Sequence, residues 1–205
     1  MYALMENINN MKNLKHILIA VIVIGLIAIT FFSSQDKNKN EEFLYDLIDT
    51  MHVVYDLREE SEDIFETAYS MNENLLNAKD NMTKWELDKD NIRKDTSKLV
   101  LEGVDTLITA SDILIDLLET GEEMDSKMRL FASYIEKGRT EVMVGSFEIS
   151  VLEGGIKLDT KEKERAIDYI DSLFGEELEG FSPEGENIGV QEVFAVGMIK
   201  TFLLK

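Results

Sequence analysis

The chain has 205 residues, with 21 Lys or Arg against 41 Asp or Glu, so its formal net charge at pH 7 is −20. A charge of this sign argues against nucleic-acid binding, because phosphate contacts need a basic surface. The lack of cysteine excludes disulfides, thiolate metal sites and a thiol nucleophile, and two histidines leave little for histidine-based catalysis. A single proline favours long helices over a turn-rich β fold.

The most apolar stretch lies at residues 17–34, whose first sixteen residues carry no charge. As a helix, these sixteen residues would extend about 24 Å at ~1.5 Å per residue, slightly less than a ~30 Å hydrocarbon core. The side chain of Lys15 can reach the interface and so extend the span. We therefore predict a single transmembrane anchor after a short flank at residues 1–16. A cleaved secretory signal is the alternative, although a small-residue cleavage site is poor here.

The orientation of this anchor is not fixed by its flanks, because two lysines lie on each side. The first 35 residues sum to +1 (two lysines and one glutamate), so the remainder carries −21. We expect the short flank in the cytoplasm and the bulk of the chain outside it, at the cell membrane. Residues 35–40 are polar and are predicted to form a flexible linker, or the frayed first turn of the next helix, before an acidic helical-bundle domain at residues 41–205.

Residues 41–78 carry apolar side chains at steps of three and four, which predicts a helix of about 35 residues. Arg58 and Ser61 interrupt this apolar seam in consecutive layers. They could fix the register of the bundle or recognise an anionic ligand; alternatively, Arg58 reaches water. A turn is predicted at residues 77–83, where Asn81 begins an Asn-Met-Thr glycosylation sequon.

A second helix is predicted from residues 85–91 to about residue 120, with Gly121 at its end. The third, at residues 124–152, has the most regular seam, and Gly138 and Gly145 on that seam would let a neighbouring helix approach closely. Because residues 141–152 also alternate in a β-prone pattern, a small hairpin near residues 141–158, in an α+β fold, is the alternative.

Two further helices complete the predicted domain. Asp159 can cap a helix that ends at Phe174, with Glu162 completing a capping box. An apolar helix at residues 190–204 is expected to pack within the bundle. The predicted fold class is therefore mainly α, with one transmembrane helix followed by an antiparallel helical bundle that is long enough to bury a core.

Acidic residues are concentrated in stripes and in one loop. Between Leu99 and Ser126 there are eight acids and no base. Such a surface could dock a basic partner, hold a divalent cation loosely or simply be solvated. Glu176, Glu177 and Glu179 lie in a glycine-rich acidic loop that lacks the spacing of an EF-hand loop. These three acids, together with Asp105, Asp112 and Asp116, are therefore weak metal candidates.

No sequence motif points to catalysis. The chain contains no nucleophile elbow, P-loop, Rossmann glycine run or zincin helix, so we expect neither an enzyme nor a cofactor. The leading hypothesis is a membrane-anchored extracytoplasmic bundle that acts through protein–protein interaction, with another protein or with itself, or has a structural role. The alternatives are an extracytoplasmic sensor or ligand-binding bundle that works with a membrane partner, and a cation-binding surface protein.

Overall fold

The computed structural model describes residues 39–57, 64–151, 155–175, 178–179 and 191–205. This part of the chain is mainly helical and contains no strand. Its helices are α1 (39–56), α2 (Ile64–Glu86), α3 (Asn91–Thr120), α4 (Met124–Val151), α5 (Thr160–Phe174) and α6 (Gln191–Leu203). The predicted anchor lies outside the described residues. Among the helices that are described, none is long and apolar enough to cross a membrane.

The single helix predicted at residues 41–78 is wrong, because the chain reverses between α1 and α2. Trp85, near the end of α2, donates from Nε1 to Asp46 Oδ2 at 2.6 Å, so the two helices lie side by side and antiparallel. Residues 58–63 (REESED) contain no apolar side chain, and an apolar seam cannot continue through them. The turn predicted at residues 77–83 is also wrong, since α2 continues to Glu86 and buries Met82.

The predicted ends of α3 are confirmed. Asp90 caps its start by accepting from the backbone N–H groups of Ile92 and Arg93. Gly121 ends it in the left-handed conformation, with φ 64°, and donates its N–H to Leu117 O at 2.9 Å. These local signals therefore bound a helix of 30 residues.

The prediction of close helix packing at Gly138 and Gly145 is confirmed, because α4 lies tightly against α3. A Cβ atom on Gly138 would lie 2.6 Å from Leu107 Cγ and 2.8 Å from the carbonyl oxygen of Gly103. One on Gly145 would lie 3.0 Å from Leu99 Cβ. On α3, this contact involves Gly103, which the sequence analysis did not identify.

The hairpin alternative near residues 141–158 is wrong over residues 141–151, which are helical and complete α4. Val142 and Ile149 are buried at 0% and 1% exposure, which matches helical spacing. The β-branched residues of this segment therefore belong to a helix whose tertiary packing overrides their intrinsic strand preference.

The last two helices run parallel to earlier ones. The predicted capping box of Asp159 and Glu162 is confirmed at the start of α5. Near the start of α1, Glu41 pairs with Arg165 of α5 at 2.6 Å. Toward the end of both helices, the ring of Phe174 lies 5.2 Å from that of His52, so α1 and α5 share a direction. Helix α6 also runs in the same direction as α4, whereas α1, α2, α3 and α4 alternate in direction.

The hydrophobic core joins all six described helices. Its buried residues come from every helix, with α6 contributing Val193, Ala195, Val196, Ile199 and Leu203. Helix α6 begins beside Arg139, near the middle of α4, and continues toward the C-terminal end of α4. Residues 124–137 of α4 therefore lie outside the stretch of α4 that runs alongside α6.

Candidate interaction surface

An apolar seam on α4 leaves the core and emerges on the surface. Met124, Met128, Phe131 and Ile135, here called the distal seam, follow one another at steps of three and four residues. Phe131 and Ile135 are half-buried and pack against the core. Met128 is 44% exposed and Met124 is 60% exposed. Exposure therefore rises steadily toward the start of α4, along a stripe whose continuation at Val142 is fully buried.

Other apolar side chains enlarge the exposed surface at this end of the bundle. Leu130 on α4 is 47% exposed, and Phe65 and Tyr69 on α2 are 47% and 48% exposed. Tyr69 donates to Glu119 Oε1 at 2.5 Å, which places the start of α2 beside the end of α3. Large exposed apolar patches on soluble domains mark sites of interaction with other molecules.

Acidic side chains accompany the distal seam. The turn between α3 and α4 carries Glu122 and Glu123, and Asp125 lies in the first turn of α4; all three are exposed. Glu123 adopts a positive φ of 55°, and its carbonyl oxygen accepts from the N–H groups of Ser126 and Lys127 at 3.0 Å each. The turn thus holds these acids close to the first residues of the seam.

The lysine nearest to these acids is already paired within the chain. Lys127 Nζ lies 2.5 Å from Asp116 Oδ2, and this hydrogen bond raises the pKa of Lys127 above its usual value. Asp116 therefore balances the charge of Lys127. Arg129 Nε donates to Asp125 O at 3.2 Å and adds one positive charge, so Glu122, Glu123 and Asp125 still leave a net negative charge around the seam.

The predicted metal candidates on α3 do not come together. Asp105 pairs with Lys79 at 2.6 Å, Asp112 accepts from Asn72 at 2.9 Å, and Asp116 pairs with Lys127. Each of these exposed acids thus has its own neighbour on α2 or α4. Within the described residues, no group of three or more potential ligands is arranged to hold a metal ion. Glu176 and Glu177 lie outside that part of the chain, and Glu179 lies in a short turn.

The other predicted site residues are placed as follows. Arg58 and Ser61 lie outside the described residues. Asn81 is exposed on α2, within a helix rather than in the predicted turn. Close to the end of α1 and the start of α2 is an open cleft of about 350 Å³, lined by polar and apolar side chains that include Asp56, Glu66, Val53, Leu57, Met71 and Asn74.

A buried ion pair determines where α6 meets α4. Arg139 Nε donates to Glu192 Oε1 at 2.8 Å, and Glu192 is fully buried in the first turn of α6. A buried carboxylate without such a partner would be costly, so the pair holds the start of α6 at this level of α4. The sequence analysis missed it, although Glu192 is the only acid in the apolar segment from residue 191 to the end.

A second polar cluster joins α1 to α5. Nε and Nη2 of the Arg165 guanidinium group each donate to a carboxylate oxygen of Glu41 at 2.6 Å, and this hydrogen bonding lowers the pKa of Glu41. Nearby, Tyr169 donates to Asp49, and burial together with that hydrogen bond raises the pKa of Tyr169. These contacts connect α1 to α5.

Comparison with known proteins adds no relative. No protein-family model matches the chain, and no curated protein or solved structure matches it either. Its function must therefore be inferred from the geometry above, in which the distal seam and its acidic surroundings stand out.

Proposed function

We propose that the protein is a membrane-anchored, extracytoplasmic helical bundle that acts by binding another protein through the distal seam of α4. The observation that carries this proposal is the exposure of Met124 and Met128 on a stripe that is otherwise part of the core. Keeping such side chains in water costs about 0.8 kcal/mol per CH₂ group that could be buried. A partner that covers the seam would recover that free energy.

The membrane location in this proposal is supported by the sequence of residues 17–34. Its test is protease accessibility of a C-terminal tag in intact cells, with a membrane fraction analysed alongside. We expect full-length protein in the membrane fraction and a tag that external protease removes. A tag that stays protected in intact cells and is cleaved only after lysis would place the bundle in the cytoplasm.

The binding function is tested by a photo-crosslinking amino acid placed at residue 128 in the full chain, in its native membrane. Residue 164 on α5, where Glu164 is also exposed, provides the control position. We expect a discrete product of higher mass from residue 128 and none from residue 164. Identical patterns from the two positions, or no product from residue 128, would contradict a specific interaction at the seam.

The sensor alternative is favoured by one observation, the cleft at the ends of α1 and α2. Two carboxylates, Asp56 and Glu66, line it beside the apolar side chains of Val53, Leu57 and Met71. A ligand suited to that lining would be a small organic cation with an apolar part. The cation-binding alternative has less support, because Asp105, Asp112 and Asp116 are engaged by separate neighbours.

A further inference from the structure

We infer that the partner presents a basic amphipathic helix to the distal seam. This inference rests on the proposed function, because it specifies the chemical class of the molecule that the seam binds. Two properties of the surface carry it, namely the linear arrangement of its apolar side chains and the sign of the charge around them.

The apolar side chains form a narrow line suited to a helix. From Met124 to Ile135 the seam extends about 16 Å at ~1.5 Å per residue, which corresponds to three turns of a facing helix. Anchors at positions i, i+3 or i+4, and i+7 of a partner helix match a seam with the same steps. Methionines at its exposed end can adapt their shape to different apolar side chains.

The charge around the seam selects a basic partner over a second copy of the chain. Glu122, Glu123 and Asp125 are exposed beside Met124; Lys127 is paired with Asp116, and Arg129 offsets the charge of only one of the three acids. A second copy would bring the same acids together, and both copies would carry a formal charge of −20. Lysine or arginine residues that flank the apolar face of a partner helix would meet these acids with favourable potential.

The probe for this inference is a fluorescent 18-residue peptide of leucine and lysine with leucine at helical spacing. Its binding to the full chain in zwitterionic lipid nanodiscs is measured by anisotropy, with empty nanodiscs as the blank. Two controls are a scrambled peptide of the same composition and a peptide with glutamate in place of lysine. We expect the helical basic peptide to bind about tenfold more tightly than either, with an affinity that falls as salt rises.

Variants separate the contribution of the apolar side chains to peptide binding from that of the acidic side chains. We expect Met128→Lys to weaken peptide binding about tenfold, whereas Leu87→Lys, at a side chain that is 87% exposed at the opposite end of α2, leaves it unchanged. Neutralising Glu122, Glu123 and Asp125 together should weaken binding and reduce its salt dependence. The matched control neutralises three exposed acids at the other end of the bundle, namely Glu86, Asp95 and Glu102.

Several outcomes would overturn the inference. Equal binding of the scrambled peptide, or equal loss in the two charge-neutralised variants, would show that net charge alone attracts the peptide. Concentration-dependent dimers of the full chain that Met128→Lys abolishes would identify a second copy as the occupant. A crosslinked protein at residue 128 combined with failure of the basic peptide would reject the inference and leave the proposed function intact; failure of both experiments would reject both.

Discussion

The two halves of α4 carry one apolar seam but have different environments. From Gly138 to Ile149 the seam is buried, and glycines bring α3 so close that an added Cβ atom would collide with it. From Met124 to Ile135 the same spacing continues, yet its outer side chains are exposed to solvent. The difference shows that periodicity defines the face of a helix that can be buried, while the neighbouring elements decide which part of that face is buried.

The boundary between the halves coincides with the buried ion pair of Arg139 and Glu192. Helix α6 begins there and covers α4 in one direction only. If this interpretation is correct, variants in the C-terminal half should affect folding, and variants in the distal half should affect binding.

The largest expected effect is that of Arg139→Met. It removes the guanidinium group that pairs with the buried carboxylate of Glu192, and we expect the free energy of unfolding to fall by about 3–5 kcal/mol in urea titrations. The double variant with Glu192→Leu should recover most of this loss, because it removes the buried charge as well. A double variant as unstable as Arg139→Met would show that the ion pair does not define the boundary.

Alanine substitutions along the seam compare its halves directly. Ile149→Ala should lower the free energy of unfolding by about 2–5 kcal/mol, because it opens a cavity in the core. Met128→Ala should change it by less than about 0.5 kcal/mol, since Met128 is 44% exposed and lies outside the buried core. Both are measured by urea titration, and similar losses at the two positions would mean that the distal seam is also part of the core.

The close approach of α3 and α4 is tested by Gly103→Ala. A Cβ atom there would lie 2.7 Å from both the carbonyl oxygen of Gly138 and the backbone nitrogen of Val142, neither of which can move easily. We expect a net loss of about 1–3 kcal/mol in the free energy of unfolding from overpacking. Stabilisation by ~1 kcal/mol, as helix propensity alone predicts, would contradict the close contact. Ser133→Ala, at an exposed position of the distal half, serves as the control.

The smallest effect is expected from Asp116→Asn, which removes the partner of Lys127. Asp116 is paired with Lys127 at 2.5 Å, so we expect a slightly lower melting temperature at low salt. Because the folded pKa of Lys127 is raised, the pair contributes below the ordinary lysine pKa of about 10.4 and is lost as pH rises through the folded value. Melting curves at pH 7 should therefore separate the variants, and the difference should shrink as pH rises above the ordinary lysine pKa. A higher melting temperature for Asp116→Asn would show that repulsion among neighbouring acids outweighs this pair.

Local signals predicted much of the fold. Gly121 and the pair of Asp159 and Glu162 mark helix ends through contacts with residues a few positions away, so the sequence contains all of the necessary groups. The reversal after α1 was missed because apolar spacing resumes in α2 with nearly the same phase. Only the run of charged residues at 58–63 indicated that one helix had become two.

The candidate surface was less predictable, because its character depends on contacts that are distant in sequence. The seam of α4 was identified, but its burial depends on α6, which Glu192 joins to Arg139 across 53 residues. Likewise, the acidic stripe on α3 was interpreted without its partners Lys79, Asn72 and Lys127. Spacing along one helix cannot show which neighbour will balance its charges.

The most direct test of the central claim compares the reactivity of one thiol in two settings. The chain contains no cysteine, so Met128→Cys and, as a control, Glu164→Cys each introduce a unique site. The rate of modification by a membrane-permeant thiol reagent is measured in the isolated protein and in native membranes. We predict that residue 128 reacts rapidly when isolated and slowly in membranes, where a partner covers it, while residue 164 reacts equally in both. Equal rates for residue 128 in the two settings would contradict the claim that the distal seam is a docking surface.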